Sequence, residues 1–267
     1  MTAVVAAAVG AAGVVLVGSG FVGTLPSLLG GGARLQAMEI PQPVATPFPS
    51  GPRERTGFDV SFPQCGKGLP EPTKGFAIVG LTGGRPFVDQ PCLPDQAWWA
   101  QQFDGFAVYV NSEYDGVADP AVAGAAIADD AHTRMDRQYL AAATPVWLDV
   151  ETDNNWHGTV EQNAALIAAA ARRLGELGHP VGVYSAPKLW RNITGGVDPG
   201  MPTWLAIGQG TQEKAEAACG RIGFGGRTPE IVQWIENRPD GTPLDHDVLC
   251  QQSATGLLMP TGNANAG

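Results

Sequence analysis

The sequence predicts an α/β domain, an irregular TIM-like β/α barrel of about five β/α units closed by antiparallel strands. Three observations carry that expectation. Short apolar runs alternate with helical patterns from Gly57 onward. The last two strand candidates are joined by a connection too short for a parallel crossover. Carboxylates recur where the strands end, the place where a barrel puts its chemistry.

Gly57–Phe62 and Phe76–Leu81 are the first strand candidates, the second running into Thr82-Gly83-Gly84. Asp95–Phe103 reads as a short helix entered through Pro94, and Phe106–Val110 as the third strand. Pro120 opens an Ala-rich helix over Ala121–Leu140, which suits proline at a first helical turn. Val146–Val150 is short, β-branched and aromatic, without helical period, and reads as a buried strand. Thr159 caps an amphipathic helix in which Leu166, Ile167, Ala170 and Leu174 recur at helical spacing up to Gly178. Val181–Ser185 follows as a strand, then a helical piece over Lys188–Asn192. Thr203–Ile207, Ile231–Ile235 and Asp245–Leu249 complete the strands, the last two linked through Pro239-Asp240-Gly241 as a hairpin.

The chain of 267 residues is 44% hydrophobic and 16% charged, enough for a sizeable core. A net charge of −10 argues against a nucleic-acid partner. No charged residue precedes Arg34, and Thr2–Leu29 is rich in Ala, Val, Gly and Leu. Residues 1–33 are therefore expected to be an export signal or a membrane anchor, although a basic leading segment is missing. Residues 34–56 read as a Pro/Gly-rich linker, 57–253 as the barrel and 254–267 as a flexible tail. Four cysteines, Cys65, Cys92, Cys219 and Cys250, suit an oxidising compartment outside the plasma membrane or in the cell envelope. They allow three connectivities; Cys65–Cys92 with Cys219–Cys250 closes the shorter loops.

Strand alternation puts Asp149 and Glu151 on one face while Leu148 and Val150 take the other. Two carboxylates on one face repel, and partial burial penalises both charges, which separates an acid from a charged partner. Asp59 in the first strand and Asp245 in the last become neighbours if the barrel closes. At that point the sequence resembles glycoside hydrolase family 25, the lysozyme-type muramidases. Gly57-Phe58-Asp59-Val60-Ser61 and Phe76-Ala77-Ile78-Val79-Gly80 resemble the first two strands of that family. Leu148-Asp149-Val150-Glu151 matches its Asp-x-Glu motif, and Gln233-Trp234 with Leu244-Asp245 resembles its last hairpin. The resemblance implies Glu151 as general acid, Asp149 beside the reacting sugar, and Asp59 and Asp245 completing an acidic floor. It implies a cell-wall polysaccharide such as peptidoglycan as partner and no cofactor or metal. A non-catalytic carbohydrate-binding module on the same barrel is the competing reading. The cysteines, Pro63-Gln64-Cys65 and Ile207-Gly208-Gln209-Gly210 depart from the family pattern and mark a distinct branch.

Trp156, Tyr184, Trp204 and Trp234 near strand ends are candidate sugar platforms. Asp245-His246-Asp247 is a candidate divalent-metal site and a weak one, because it lacks a defined ligand loop. Ser185-Ala186-Pro187-Lys188 matches a Ser-x-x-Lys pattern without its partner motifs, and a proline spoils the helix it needs.

Overall fold

A computed structural model describes residues 52–140, 143–152, 154–238, 241–251 and 254–260. The leader expected over 1–33 and the linker up to residue 51 lie outside the described residues. Among the described residues no helix is long and apolar enough to cross a membrane.

Strand β1 (Thr56–Val60) pairs in parallel with β2 (Phe76–Gly80), and five strand–helix units then follow in order. They are β2 with α1 (Leu93–Ala100), β3 (Gly105–Asn111) with α2 (Pro120–Arg137), and β4 (Val146–Asp149) with α3 (Val160–Glu176). The last two are β5 (Val181–Ser185) with α4 (Pro187–Thr194) and β6 (Thr203–Gln209) with α5 (Gln212–Cys219). Strands β7 (Ile231–Asn237) and β8 (Pro243–Leu249) form the expected antiparallel hairpin. β8 then pairs antiparallel with β1, closing an eight-stranded mixed barrel.

Local chemistry explains the helix starts. Asp119 accepts from the amides of Ala121 and Val122 ahead of Pro120, so α2 begins where its first donors are satisfied. Thr159 and Gln162 form a reciprocal capping box at the start of α3.

Closure divides the apolar residues into two cores. Outward-facing Val79, Val108, Val110, Leu148, Val150, Val183 and Val232 meet Ile127, Ala131, Leu166, Ala170 and Leu174 of the helices. Inward-facing Phe76, Ile78, Ala107, Trp147, Trp204, Ile231 and Leu249 fill the lower half of the barrel. Gly182 is required there, since a Cβ at that position would stand 2.2 Å from the Trp147 ring.

Two segments differ from expectation. Helix α5 has no apolar stripe to reveal it; only Ala215 is buried on it. Residues 254–260, expected within a flexible tail, form a 3-10 turn and a short strand β9 (Met259–Pro260) on the start of β3. Leu257 and Leu258 are buried against the inner core and plug the barrel floor. A Cβ on Gly105 would stand 3.4 Å from both Pro52 and Leu258, so both segments meet at this floor.

The cysteines pair as Cys65–Cys92 and Cys219–Cys250, the connectivity with the shorter loops. The first ties the loop after β1 to the start of α1, and the second ties the end of α5 to the end of β8.

Leu258→Ala should lower unfolding free energy by about 2–5 kcal/mol in urea denaturation, the range for an apolar side chain removed from a core. A tail without structural role would show no change.

Candidate functional site

The lower half of the barrel is apolar and its upper half is acidic. The register explains why: β1 places Asp59 directly opposite Asp245 of β8. Residues two apart on a strand share a face, so Asp247 lies below Asp245 on the inside. Its partner across the ladder is Gly57, which offers no side chain. β8 runs down from the mouth, so these aspartates lie near its amino end rather than its carboxyl end. On β4 the same alternation turns Trp147 and Asp149 inward, and Glu151 follows just beyond the strand.

Asp59, Asp149, Glu151 and Asp245 all line one cavity of about 430 Å³ at the mouth. The four carboxylates named from the sequence are thus brought together. Tyr184 and Trp204 line it too. Trp204 is only 1% exposed and forms floor rather than an open platform, its ring against Tyr184 at 4.5 Å and Trp147 at 5.9 Å.

Two aromatic expectations are corrected. Trp234 faces the outer core, stacks on His246 at 5.1 Å and donates its indole N–H to Glu236. Trp156 is half-buried against the outer core, outside the cavity lining, and donates Nε1–H to the Glu151 carbonyl at 2.8 Å. That bond, with the Asn154 amide on the same carbonyl, fixes the backbone that carries Glu151. Asp245-His246-Asp247, weighed from the sequence as a weak metal candidate, does not converge. His246 points outward between Phe58 and Trp234, away from both aspartates. Among the described residues no group of three or more His, Cys, Asp or Glu side chains is placed to hold a metal ion.

Three of the inner carboxylates, Asp59, Asp149 and Asp247, are each held by a neutral donor. Gln233 Nε2 donates to Asp59 at 2.8 Å, while its carbonyl oxygen accepts from the Tyr184 hydroxyl at 2.9 Å. Trp204 Nε1 donates to Asp247 at 2.8 Å. Thr82 donates its hydroxyl to Asn111 Oδ1 at 2.8 Å, which turns the Asn111 amide toward Asp149. Gln233 and Asn111 were not singled out as site residues from the sequence, and Asp247 was weighed there only as a weak metal ligand. Strand parity with Asp245 and Tyr109 was the available signal, but apolar residues on both faces of these strands obscure it.

Among the described residues no Lys, Arg or His lines the cavity. Burial is therefore the first cause pushing Asp59 and Asp247 well above the usual carboxylate range, and the charge of Asp245 adds to it in both. The charge of Asp247 is a further cause raising Asp59, so the two carboxyls disfavour ionising together. Burial pushes Asp245 up to about 6. Tyr184 is raised well above 10 by burial and by Glu151, and so remains a donor to Gln233.

A carboxyl whose native pKa is raised favours the fold in its protonated form. This contribution is full below the ordinary value of 3.8, and is lost as pH rises through about 6 for Asp245 and further for the other two. Asp247→Asn keeps an oxygen for the Trp204 indole and removes one buried charge. Its Tm should exceed that of the wild type by a few degrees near about pH 8, and the gap should close toward about pH 4 in thermal denaturation.

Comparison with known proteins agrees with this architecture. The family model described as Lysozyme-like protein 1 matches residues 96–219, from α1 to α5, including Asp149 and Glu151. A probable GH family 25 lysozyme of Dictyostelium discoideum is 34% identical over 99 residues, covering 36% of this chain and 44% of that protein. The catalytic domain of the endolysin from bacteriophage P40 of Listeria monocytogenes superposes with a TM-score of 0.50 at 14% identity, over 76% of this chain and 98% of that one. The modular autolysin LytC of Streptococcus pneumoniae, solved with a synthetic peptidoglycan ligand, gives a TM-score of 0.50 at 12% identity. It covers 73% of this chain and 46% of that one.

Proposed function

Starting from a glycoside hydrolase family 25-like domain of lysozyme type, we propose that this chain is an exported hydrolase of a cell-wall glycan of the peptidoglycan kind. The supporting observation is the meeting of Asp149 and Glu151 with Asp59 and Asp245 in one cavity at the barrel mouth.

Glu151 acts as general acid, giving its proton to the glycosidic oxygen as the bond to the anomeric carbon breaks. Negative charge is then needed near the oxocarbenium-like centre. Asp149, oriented by Asn111 and Thr82, supplies it, either directly or by orienting an acetamido group. Asp59 and Asp245 form the floor beneath the sugar. Burial holds the Asp59 carboxyl well above the usual carboxylate range, which makes it more a hydrogen-bonding wall than a second full charge, so the site does not fill with repelling anions. Trp156 positions the acid through its backbone and does not touch the sugar.

The two disulfides support an oxidising destination. The apolar composition of residues 1–33 supports their role as export signal or membrane anchor, with 34–56 as linker. The peptidoglycan ligand of the LytC neighbour supports the same class of partner here.

Glu151→Gln should cut the rate of reducing-end release from purified peptidoglycan by about a hundred- to ten-thousandfold, with Tm unchanged. Unaltered hydrolysis would sink the assignment, and glycan binding without hydrolysis by the wild type would replace it with a binding module. Trp156→Phe retains the packing and loses the bond to the Glu151 carbonyl. It should lower kcat about tenfold with a smaller effect on KM and a shifted basic limb of the pH–rate profile, where the general acid loses its proton.

A further inference from the structure

The rim of the cavity carries apolar surface that the chemistry above does not use. Phe62 lines the cavity yet is 45% exposed. It sits in the loop after β1, where an aromatic ring facing water has no folding advantage. The loop is nevertheless rigidly built. Ser61 and Gln64 close a capping box around it, the Gln96 amide donates to the Ser61 carbonyl at 2.8 Å, and Cys65 is tied to Cys92.

The seat of that ring belongs to the neighbouring loop. A Cβ on Gly84 would stand 2.8 Å from the Phe62 ring, so only glycine, at φ +84°, lets the two loops approach this closely. Gly84 lies in a small hairpin joined by the bridge between Thr82 and Asp89. The Arg85 guanidinium forks onto Glu113 at 2.9 and 3.0 Å, fixing the hairpin to the loop after β3. Near its tip Phe87 is 56% exposed and holds φ at +66°, a left-handed conformation that a bulky aromatic adopts only at a cost. Val88 beside it is 44% exposed. A second exposed aromatic is thus held in a strained conformation on the hairpin that seats the first.

We propose that Phe62 and Phe87 form an aromatic platform for the glycan strand where it leaves the cavity, binding sugar rings beyond the one cleaved. Pyranose rings present apolar C–H faces that stack on aromatic rings, and neutral rings suit a rim with no free cation in the cavity wall. Continuity decides the occupant: Phe62 is at once part of the cavity wall and exposed, so a ligand filling the cavity meets it, and the hairpin it packs on carries Phe87. This inference rests on the glycan-hydrolase reading and adds a direction to the bound strand, out across the loops after β1 and β2.

The test uses the full chain carrying Glu151→Gln, so that binding is read without turnover, and peptidoglycan glycan strands of two lengths, a tetrasaccharide and a longer oligomer. The longer strand should bind about tenfold more tightly. Phe62→Ala and Phe87→Ala should each remove most of that advantage, and Phe62→Trp should retain it. Tm should stay unchanged, because both rings are largely exposed. Equal losses for short and long strands, or none, would overturn the platform, as would failure of either strand to bind. If the wild type does not hydrolyse the strands while the length advantage and its loss persist, the platform stands and the hydrolase reading falls.

Discussion

The antiparallel seam between β1 and β8 is the constraint on which the rest depends. Its strands come from opposite ends of the domain, and only their pairing turns an open sheet into a barrel with an inside. Once the seam closes, strand alternation assigns every second side chain to a confined interior. The register then decides which side chains meet: Asp59 with Asp245 above, and Gly57 with Asp247 below. A slip of one residue would turn these aspartates toward the helices and put His246 and Phe58 in their place.

The interior so formed is divided by polarity. Trp147, Phe76, Ile78 and Leu249 fill the floor with the dispersion and hydrophobic stabilisation of an ordinary core. Above them, carboxylates are crowded where ionisation is disfavoured, against stability and in favour of chemistry. Trp204 is the hinge between the two layers. Its ring packs with Trp147 and Tyr184, and its N–H offers the fully buried Asp247 a compensating bond. The strain of the acidic layer is met by neutral donors rather than cations, so the cavity remains electronegative.

Much of this was legible from residue order. Alternation in Leu148-Asp149-Val150-Glu151 placed both acids on the inner face, and the short link around Gly241 demanded the hairpin that closes the barrel. The aromatic residues were harder to place. Ile231, Val232, Gln233 and Trp234 are all buried, because one face meets the barrel interior and the other meets the outer core. No polar–apolar alternation survives to say that Gln233 turns in and Trp234 out. Trp156 lies in a loop where periodicity has no meaning, and its role came from one hydrogen bond to a backbone oxygen. Helix α5 and the turn at 254–257 bury too few side chains each to stand out from polar sequence.

Pro52 and Leu258 approach the same glycine, Gly105, beneath the barrel, while the cavity opens at the far end. The described chain therefore enters and leaves the barrel at its floor. Neither Pro52 nor Leu258 lines the mouth cavity, so floor and mouth divide the work of entry and of chemistry between the two ends of the barrel.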